Sequence, residues 1–286
     1  MTNMKRTIAV LPLLLLSVLL AAQAPFPTRN ETAQFPVSTT CVVLEDDAFS
    51  LFNSYIRDAV QEYWTLTPFE FIDQEEFGRR RNNPDYSFIM LTETTFDKDK
   101  SGSVFSFINL VQGKNVADIG KMPEICAVPL APAGDDGLDY GYKLGAILLF
   151  MQKHAALIVA EPSKTGRKYL SFYNENIPRM SGKTILVRQE DLSPAISDPD
   201  DIRAIYPGKV EIVTEEEMVK AIEEKSPETV VLHKVGPSGD ADGGYCFKML
   251  IGTDDAVMYY YNSHRIDGQN PDGLLPSDLK RLARFR

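Results

Sequence analysis

The 286-residue chain has only three cysteines, one tryptophan and three histidines, and its 30 Lys and Arg are outnumbered by 40 Asp and Glu. Three cysteines are too few for a disulfide scaffold. A net charge of −10 has the wrong sign for a general nucleic-acid binder, which works by neutralising phosphates. Eighteen Gly and 18 Pro beside 44% hydrophobic residues exclude collagen, a low-complexity chain and wholesale disorder. Strong catalytic motifs are missing too. No HExxH spacing occurs. Ser263 and His264 are sequence neighbours that point apart on a strand, and no nucleophile elbow surrounds them. Thr165-Gly166-Arg167-Lys168 lacks the first glycine and the spacing of a phosphate loop.

The amino terminus, by contrast, carries an ordered signal. Lys5 and Arg6 precede an apolar run from Ile8 to Leu20, followed by Ala21, Ala22 and Ala24. Basic start, apolar middle and small-residue exit are the order of a secretory signal peptide, expected over about residues 1–24. The chain is therefore expected to be exported, to the periplasm or beyond the cell, with no stable membrane span once the signal is cleaved. The next most apolar stretch, Leu144–Ala160, contains Lys153 and His154 and reads as a buried helix.

The remainder repeats itself. Thr40–Leu44 reads as a strand. Phe49, Phe52, Ile56, Val60 and Tyr63 fall at helical steps, and Asp46 or Asp47 is expected to cap that helix. Phe69–Ile72 is a strand, Asp73 and Glu76 have capping-box spacing, and Tyr86–Leu91, Val104–Val111 and Ile125–Leu130 are further strands. The second half gives Thr184–Val187, a short helix near Asp200–Tyr206, Val210–Val213, the capping pair Thr214 and Glu217, then strands Thr229–Val235, Tyr245–Ile251 and Ala256–Tyr261. A shift of 141 positions lays Glu75 and Glu76 on Glu216 and Glu217, Phe77 on Met218 and Leu91 on Leu232. The expected fold class is α+β: two similar strand-helix-strand-helix-multistrand modules with mixed sheets, their helices on one face, joined by a buried central helix. The element order resembles the small module that begins TolB and related envelope proteins. That resemblance implies an inhibitory or docking role.

The expected organisation is a first module over 40–130, a central helix and connection over 139–182, a second module over 183–266 and a tail with a short helix over 267–286. The Pro- and Asp-rich stretch Ser193–Asp201 reads as a linker. Cys41, Cys126 and Cys246 are buried thiols, or Cys41 and Cys126 pair on neighbouring strands. Tyr259 and Tyr261 face one way and Tyr260 the other, so one side offers a sugar or peptide surface or else covers the core.

The leading functional expectation is an exported non-enzymatic envelope or surface protein that binds other such proteins, through the open edge of either sheet. It uses no cofactor and predicts no deep cleft of converging titratable groups. One alternative is an exported hydrolase assembled from His233, His264 and the Asp-rich loops. Another is a calcium- or glycan-binding module on Asp97, Asp99 and Ser101, whose oxygen-rich, Gly-turned spacing opens like a calcium loop. Ile108 stands where such a loop needs its last carboxylate, and solvated hairpin turns account for the same residues. Under the calcium reading, added calcium raises the thermal midpoint of the protein, and the rise disappears in Asp97→Ala.

Overall fold

The computed structural model describes residues 25–47, 49–135, 137–165, 169–237 and 243–284. Residues 1–24, on which the signal-peptide expectation falls, part of the loop Gly236–Gly244 and the last two residues lie outside these. The first half runs α1 (Arg29–Gln34), β1 (Thr39–Val43), α2 (Leu51–Tyr63), β2 (Phe69–Ile72), α3 (Gln74–Arg80), β3 (Tyr86–Thr94), β4 (Phe105–Gln112), β5 (Glu124–Pro132) and α4 (Leu144–Ala160). The second runs β6 (Thr184–Val187), α5 (Pro199–Ile205), β7 (Lys209–Ile212), α6 (Glu215–Glu223), β8 (Thr229–Val235), β9 (Tyr245–Gly252), β10 (Met258–Arg265) and α7 (Pro276–Ala283). The sheets are ordered β2-β1-β3-β4-β5 and β7-β6-β8-β9-β10. In each, the first three strands are parallel and the last two join antiparallel. The two halves share one topology, and the class is α+β.

The repeat is most exact at the helix caps. Asp73 opens α3 by accepting the Glu76 N–H at 2.7 Å. Thr214 opens α6 by accepting the Glu217 N–H at 3.3 Å, while the Glu217 carboxylate accepts the Thr214 N–H at 2.9 Å. These caps are 141 residues apart (214 minus 73), and four positions on, Phe77 and Met218 are both buried. The start of α2 differs from expectation. Ser50 is its cap, accepting from the Asn53 N–H at 3.1 Å, and Asp47 instead takes the Phe49 N–H at 2.9 Å. That turn holds Phe49 ahead of the helix and 91% exposed, off the apolar stripe its spacing suggests.

Helices cover both faces of each sheet, not one. The chain leaves β1 for β2 on one side and then crosses back to β3 on the other. Crossovers of constant hand that reverse direction must place their helices on opposite faces. Accordingly Val42 and Ile89 pack with the α2 and α4 side chains, while Cys41, Val43 and Phe88 pack with Phe77 of α3. This alternation also separates the cysteines. Cys41 and Cys126 lie on opposite faces with β3 and β4 between their strands. All three thiols are free and buried, so the Cys41–Cys126 pairing is overturned.

Gly141–Ala160 is, by length and composition, apolar enough to cross a membrane, despite Lys153 and His154. Here it is the core between the modules. Leu144, Ile147, Leu148, Phe150, Met151 and Ile158 share one buried cluster with Ile56 and Val60 of α2 and with Met218, Ile222, Val231, Met249 and Ile251 of the second module. Contact with α2 is close enough to require Gly145, where a Cβ would stand 2.6 Å from the Tyr63 ring. Gln152 pins the end of α2. Its amide donates to the Tyr63 carbonyl at 2.7 Å and accepts the Thr65 N–H at 2.7 Å.

Three further expectations change. Ser193–Asp201 is no linker: it lies inside the second module, with Ser193 and Ile196 fully buried, and starts α5. The segment after α4 joins the modules, and its 3-10 turns at Tyr169–Met180 run along the β10 edge, which is therefore not open. There Asn174 donates to the Tyr261 carbonyl at 3.0 Å and accepts its N–H at 2.8 Å. An asparagine side chain thus occupies the pairing positions a partner strand would take. Finally, a bulge between Met258 and Tyr260 turns Tyr259 and Tyr260 into the same core cluster, with Tyr261 on the other side. Strict alternation fails because the bulge adds a residue.

The terminal helix is held by buried charge. Lys248 is fully buried, and its ammonium donates to Asp278 at 2.6 Å and to His264 Nδ1 at 2.8 Å. Asp278 also accepts from the Tyr260 hydroxyl at 2.6 Å, the Asn262 amide at 2.8 Å and the Leu275 N–H at 2.9 Å. Burial alone would raise this carboxyl, but the Lys248 charge and these bonds hold it below its ordinary range. Removing one partner leaves a charge stranded in the core. Asp278→Asn is expected to lose about 3–5 kcal/mol in urea unfolding, and the double change Lys248→Met with Asp278→Leu distinctly less. Equal losses would show that the charge itself is not what the site must neutralise.

Candidate binding site at the module junction

In sheets with parallel strands, a crevice opens at the carboxyl ends where successive connections leave in opposite directions. β6 is such a strand: its two parallel neighbours are reached by crossovers in opposite senses. Beyond its end lies a cavity of about 420 Å³. The walls are the turn after β6 (Arg188, Glu190, Asp191), the end of β8 (His233, Lys234), the end of β5 with the turn that follows it (Leu130 to Asp135), and the approach to α4 (Asp139, Tyr142, Lys143). Both modules therefore contribute. This corrects the expectation of no cleft with converging titratable groups.

The charges are largely spoken for. Arg188 pairs with Glu190 at 2.6 Å and Glu215 at 2.9 Å. Lys234 pairs with Asp272 at 2.7 Å and lies 4.0 Å from Asp191. Lys143 is only 5% exposed, and its charge acts on both Asp191 and His233. Burial raises the Asp191 carboxyl, with Lys143 and Lys234 opposing. Burial, reinforced by the Lys143 charge, depresses His233 to about 3. The ring is therefore neutral. Its Nε2–H donates to the Pro129 carbonyl at 2.8 Å, which leaves Nδ1 as an acceptor. That Nδ1 and Asp191 Oδ2 are buried without a hydrogen-bond partner among the described residues.

This arrangement offers acceptors and charge. Among the described residues, none that lines the cavity is Ser, Thr or Cys. Neither histidine of the hydrolase alternative hydrogen-bonds a carboxylate. His233 meets Pro129, and His264 meets Lys248 and the Pro271 carbonyl at 2.9 Å. The two sit on opposite faces of the second sheet and do not converge, since His264 shares the Lys248–Asp278 network while His233 points toward the first module. His154 is a packed core residue, its Nδ1 3.0 Å from the Tyr173 hydroxyl.

The proposed calcium residues also separate. Asp99 accepts from the Ser101 N–H at 3.0 Å and hydroxyl at 2.8 Å, closing a local turn, while Asp97 lines a different groove. Among the described residues no group of three or more His, Cys, Asp or Glu is placed to hold a metal ion. The matching loop Asp240–Gly244 falls mostly outside the described residues. Sequence reasoning missed Lys143, Arg188, Asp191 and Lys234, which are scattered over 91 positions (234 minus 143) and form no motif.

A surface lies beside the cavity. Leu138, 53% exposed, stands between the cavity residues Asp135 and Asp139. The residue before it, Gly137, lies at the start of α2, where a Cβ would stand 3.6 Å from the Phe52 nitrogen. Phe49 and Leu51, 91% and 37% exposed, lead into that same helix end. Exposed acids Glu45, Asp46, Asp47 and Asp139 lie in the flanking turns.

The chain matches no protein-family model, no curated protein and no solved structure.

The depressed imidazole generates a sign for pH. Unfolded His233 binds a proton below its ordinary 6.5, and the folded ring only near 3. The stability it confers is complete above pH 6.5 and is lost as pH falls. Between pH 6 and 4, His233→Gln is therefore expected to lose less stability than the wild type, by about 1.4 kcal/mol per pH unit. Urea midpoints across that range check it, and parallel profiles for the two proteins would contradict it.

Proposed function

We propose that the chain is an exported, non-enzymatic envelope or surface protein that works by binding other proteins of that setting. Export rests on the basic, apolar and small-residue order of residues 1–24. The non-enzymatic reading is supported by the partners of the two histidines of the hydrolase alternative: His233 at the junction is engaged by a carbonyl, and His264, away from it, by a lysine and a carbonyl. The envelope setting draws on the layout shared with the TolB-type module.

The observation that carries the binding reading is the exposed apolar group Phe49, Leu51 and Leu138. Large apolar side chains exposed around one helix end are the kind of surface that marks an interaction site. The acids around it select the partner: a protein surface that is apolar at its centre and basic at its rim. This replaces the β10 edge, whose pairing groups Asn174 already engages. The β7 edge is short and carries exposed Lys209 and Glu211, features that discourage strand addition.

Site-specific photo-crosslinking in the cell envelope of the host tests the reading. A crosslinker at position 49 or 138 is expected to give one discrete adduct with another envelope protein, and Leu138→Glu to remove the adduct formed from position 49. Position 220, on the exposed side of α6, serves as control and is expected to give none. Adducts of equal strength from position 220, or none from 49 and 138, would overturn the proposal.

A further inference from the structure

The repeated topology makes equivalent faces comparable, and one pair of them is treated unequally. On the second sheet, the α6 face of β8 and β9 is covered by the first module, with Val231, Met249 and Ile251 packed into the α4 cluster. On the first sheet, α3 covers only one end of the equivalent face, around Cys41, Val43 and Phe88. Toward the other end, Met90, Thr92, Asn109 and Val111 look onto a groove of about 480 Å³. A groove of that size suits a small organic molecule.

Two features of the groove point to the chemistry of its ligand. The first is Glu124, which opens β5, lines the groove and is 9% exposed. Among the described residues no ion pair or side-chain hydrogen bond offsets its charge, and burial alone pushes the carboxyl up to about 7. A buried carboxylate without a partner is costly, and a cation with N–H donors satisfies both needs. The second is an aromatic wall drawn from both modules. Phe96 from the β3–β4 turn lies 5.0 Å from the Tyr245 ring and 5.7 Å from Phe247, and Phe107 packs against Phe247 at 5.8 Å between centroids. Aromatic faces accept apolar bodies and attract organic cations.

We propose that this groove binds a small apolar molecule bearing a protonated amine, its ammonium paired with Glu124 and its body against Phe96, Phe107, Tyr245 and Phe247. The site is separate from the junction cavity and from the Phe49–Leu138 surface, so it stands whether or not those bind a partner. Lys98 and Asp97 lie at its mouth, where they are solvated and leave Glu124 the buried charge.

Calorimetric titration of the full chain at pH 8 with 2-phenylethylammonium chloride, and with the neutral isostere 2-phenylethanol, tests the proposal. One saturable site is expected for the amine, with affinity roughly tenfold or more above that for the alcohol. Glu124→Gln, which keeps the side-chain volume, is expected to abolish that preference while leaving the alcohol's affinity unchanged. Phe96→Ala, at the partly exposed turn, is expected to weaken both ligands and so reports on the wall independently of the charge. Equal affinity for amine and alcohol, an unchanged preference in Glu124→Gln, or no saturable binding of the amine at millimolar concentration would each overturn it.

Discussion

A helix whose surface is this widely apolar can give water only a narrow strip, which on α4 is Lys153, Ala156 and Ala160. That constraint on α4 organises the molecule. Its Leu144, Ile147, Leu148, Phe150, Met151 and Ile158 are all at most 1% exposed, and each large side chain so buried contributes about 1.5–3 kcal/mol. One sheet and α2 cover only part of that apolar surface. The rest is closed by Met218, Ile222, Val231, Met249 and Ile251, which belong to the second module. Docking of the modules is therefore a condition for burying this helix, and their relative placement follows from it. The junction cavity lies where that apolar packing stops. At its edge Lys143 caps the α4 amino terminus, a poor place for a cation because the helix dipole is positive there. Asp191 and the neutral state of His233 make that placement tolerable, which explains why the polar residues of both modules gather at this end.

The same constraint makes equivalent positions of the repeat unequal. Thr92 and His233 are 141 residues apart (233 minus 92) on β3 and β8. Thr92 accepts from the Asn109 amide at 2.7 Å beside the groove. His233 is sealed beneath the first module and reaches Pro129. One module's outer face is the other's interior. On the first sheet the equivalent face is covered less completely: the second module meets it only through the wall of Tyr245, Phe247 and Tyr261, and the groove with Glu124 lies between. The asymmetry arises from stacking order, with no change of fold required.

Much of this was legible in the sequence, for physical reasons that can be named. The strands and the caps at Asp73 and Thr214 are local: a side chain bonding three residues ahead leaves its mark within one turn. The Tyr259–Tyr261 alternation was not legible, because a bulge depends on the partner strand. Phe49 continued a helical period, yet Ser50 took the cap and turned it outward. The junction site was hidden for a different reason. Lys143 and Asp191 come from two separate connections and His233 and Lys234 from the end of β8, and they meet only when the modules pack around α4. Glu124 left a fainter trace, a single carboxylate opening an otherwise apolar strand, which reads equally well as a solvated strand end.

The two terminal helices show how one topology accepts opposite chemistries. Counting from the facing pairs Leu91–Ile108 and Leu232–Leu250, the place of Lys248 in the second sheet is held by Ser106 in the first. The third helical residue, Asp278 in α7, is Ala146 in α4. Where most of the circumference is buried, as on α4, small and apolar residues suffice, since packing alone fixes it. The α7 helix has one buried side, with Lys280, Arg281 and Arg284 exposed, and a single apolar stripe tolerates sliding by a turn. A buried ion pair tolerates none, because any slip strands both charges. Lys248 and Asp278 thus do for α7, with its single buried side, what wide apolar burial does for α4.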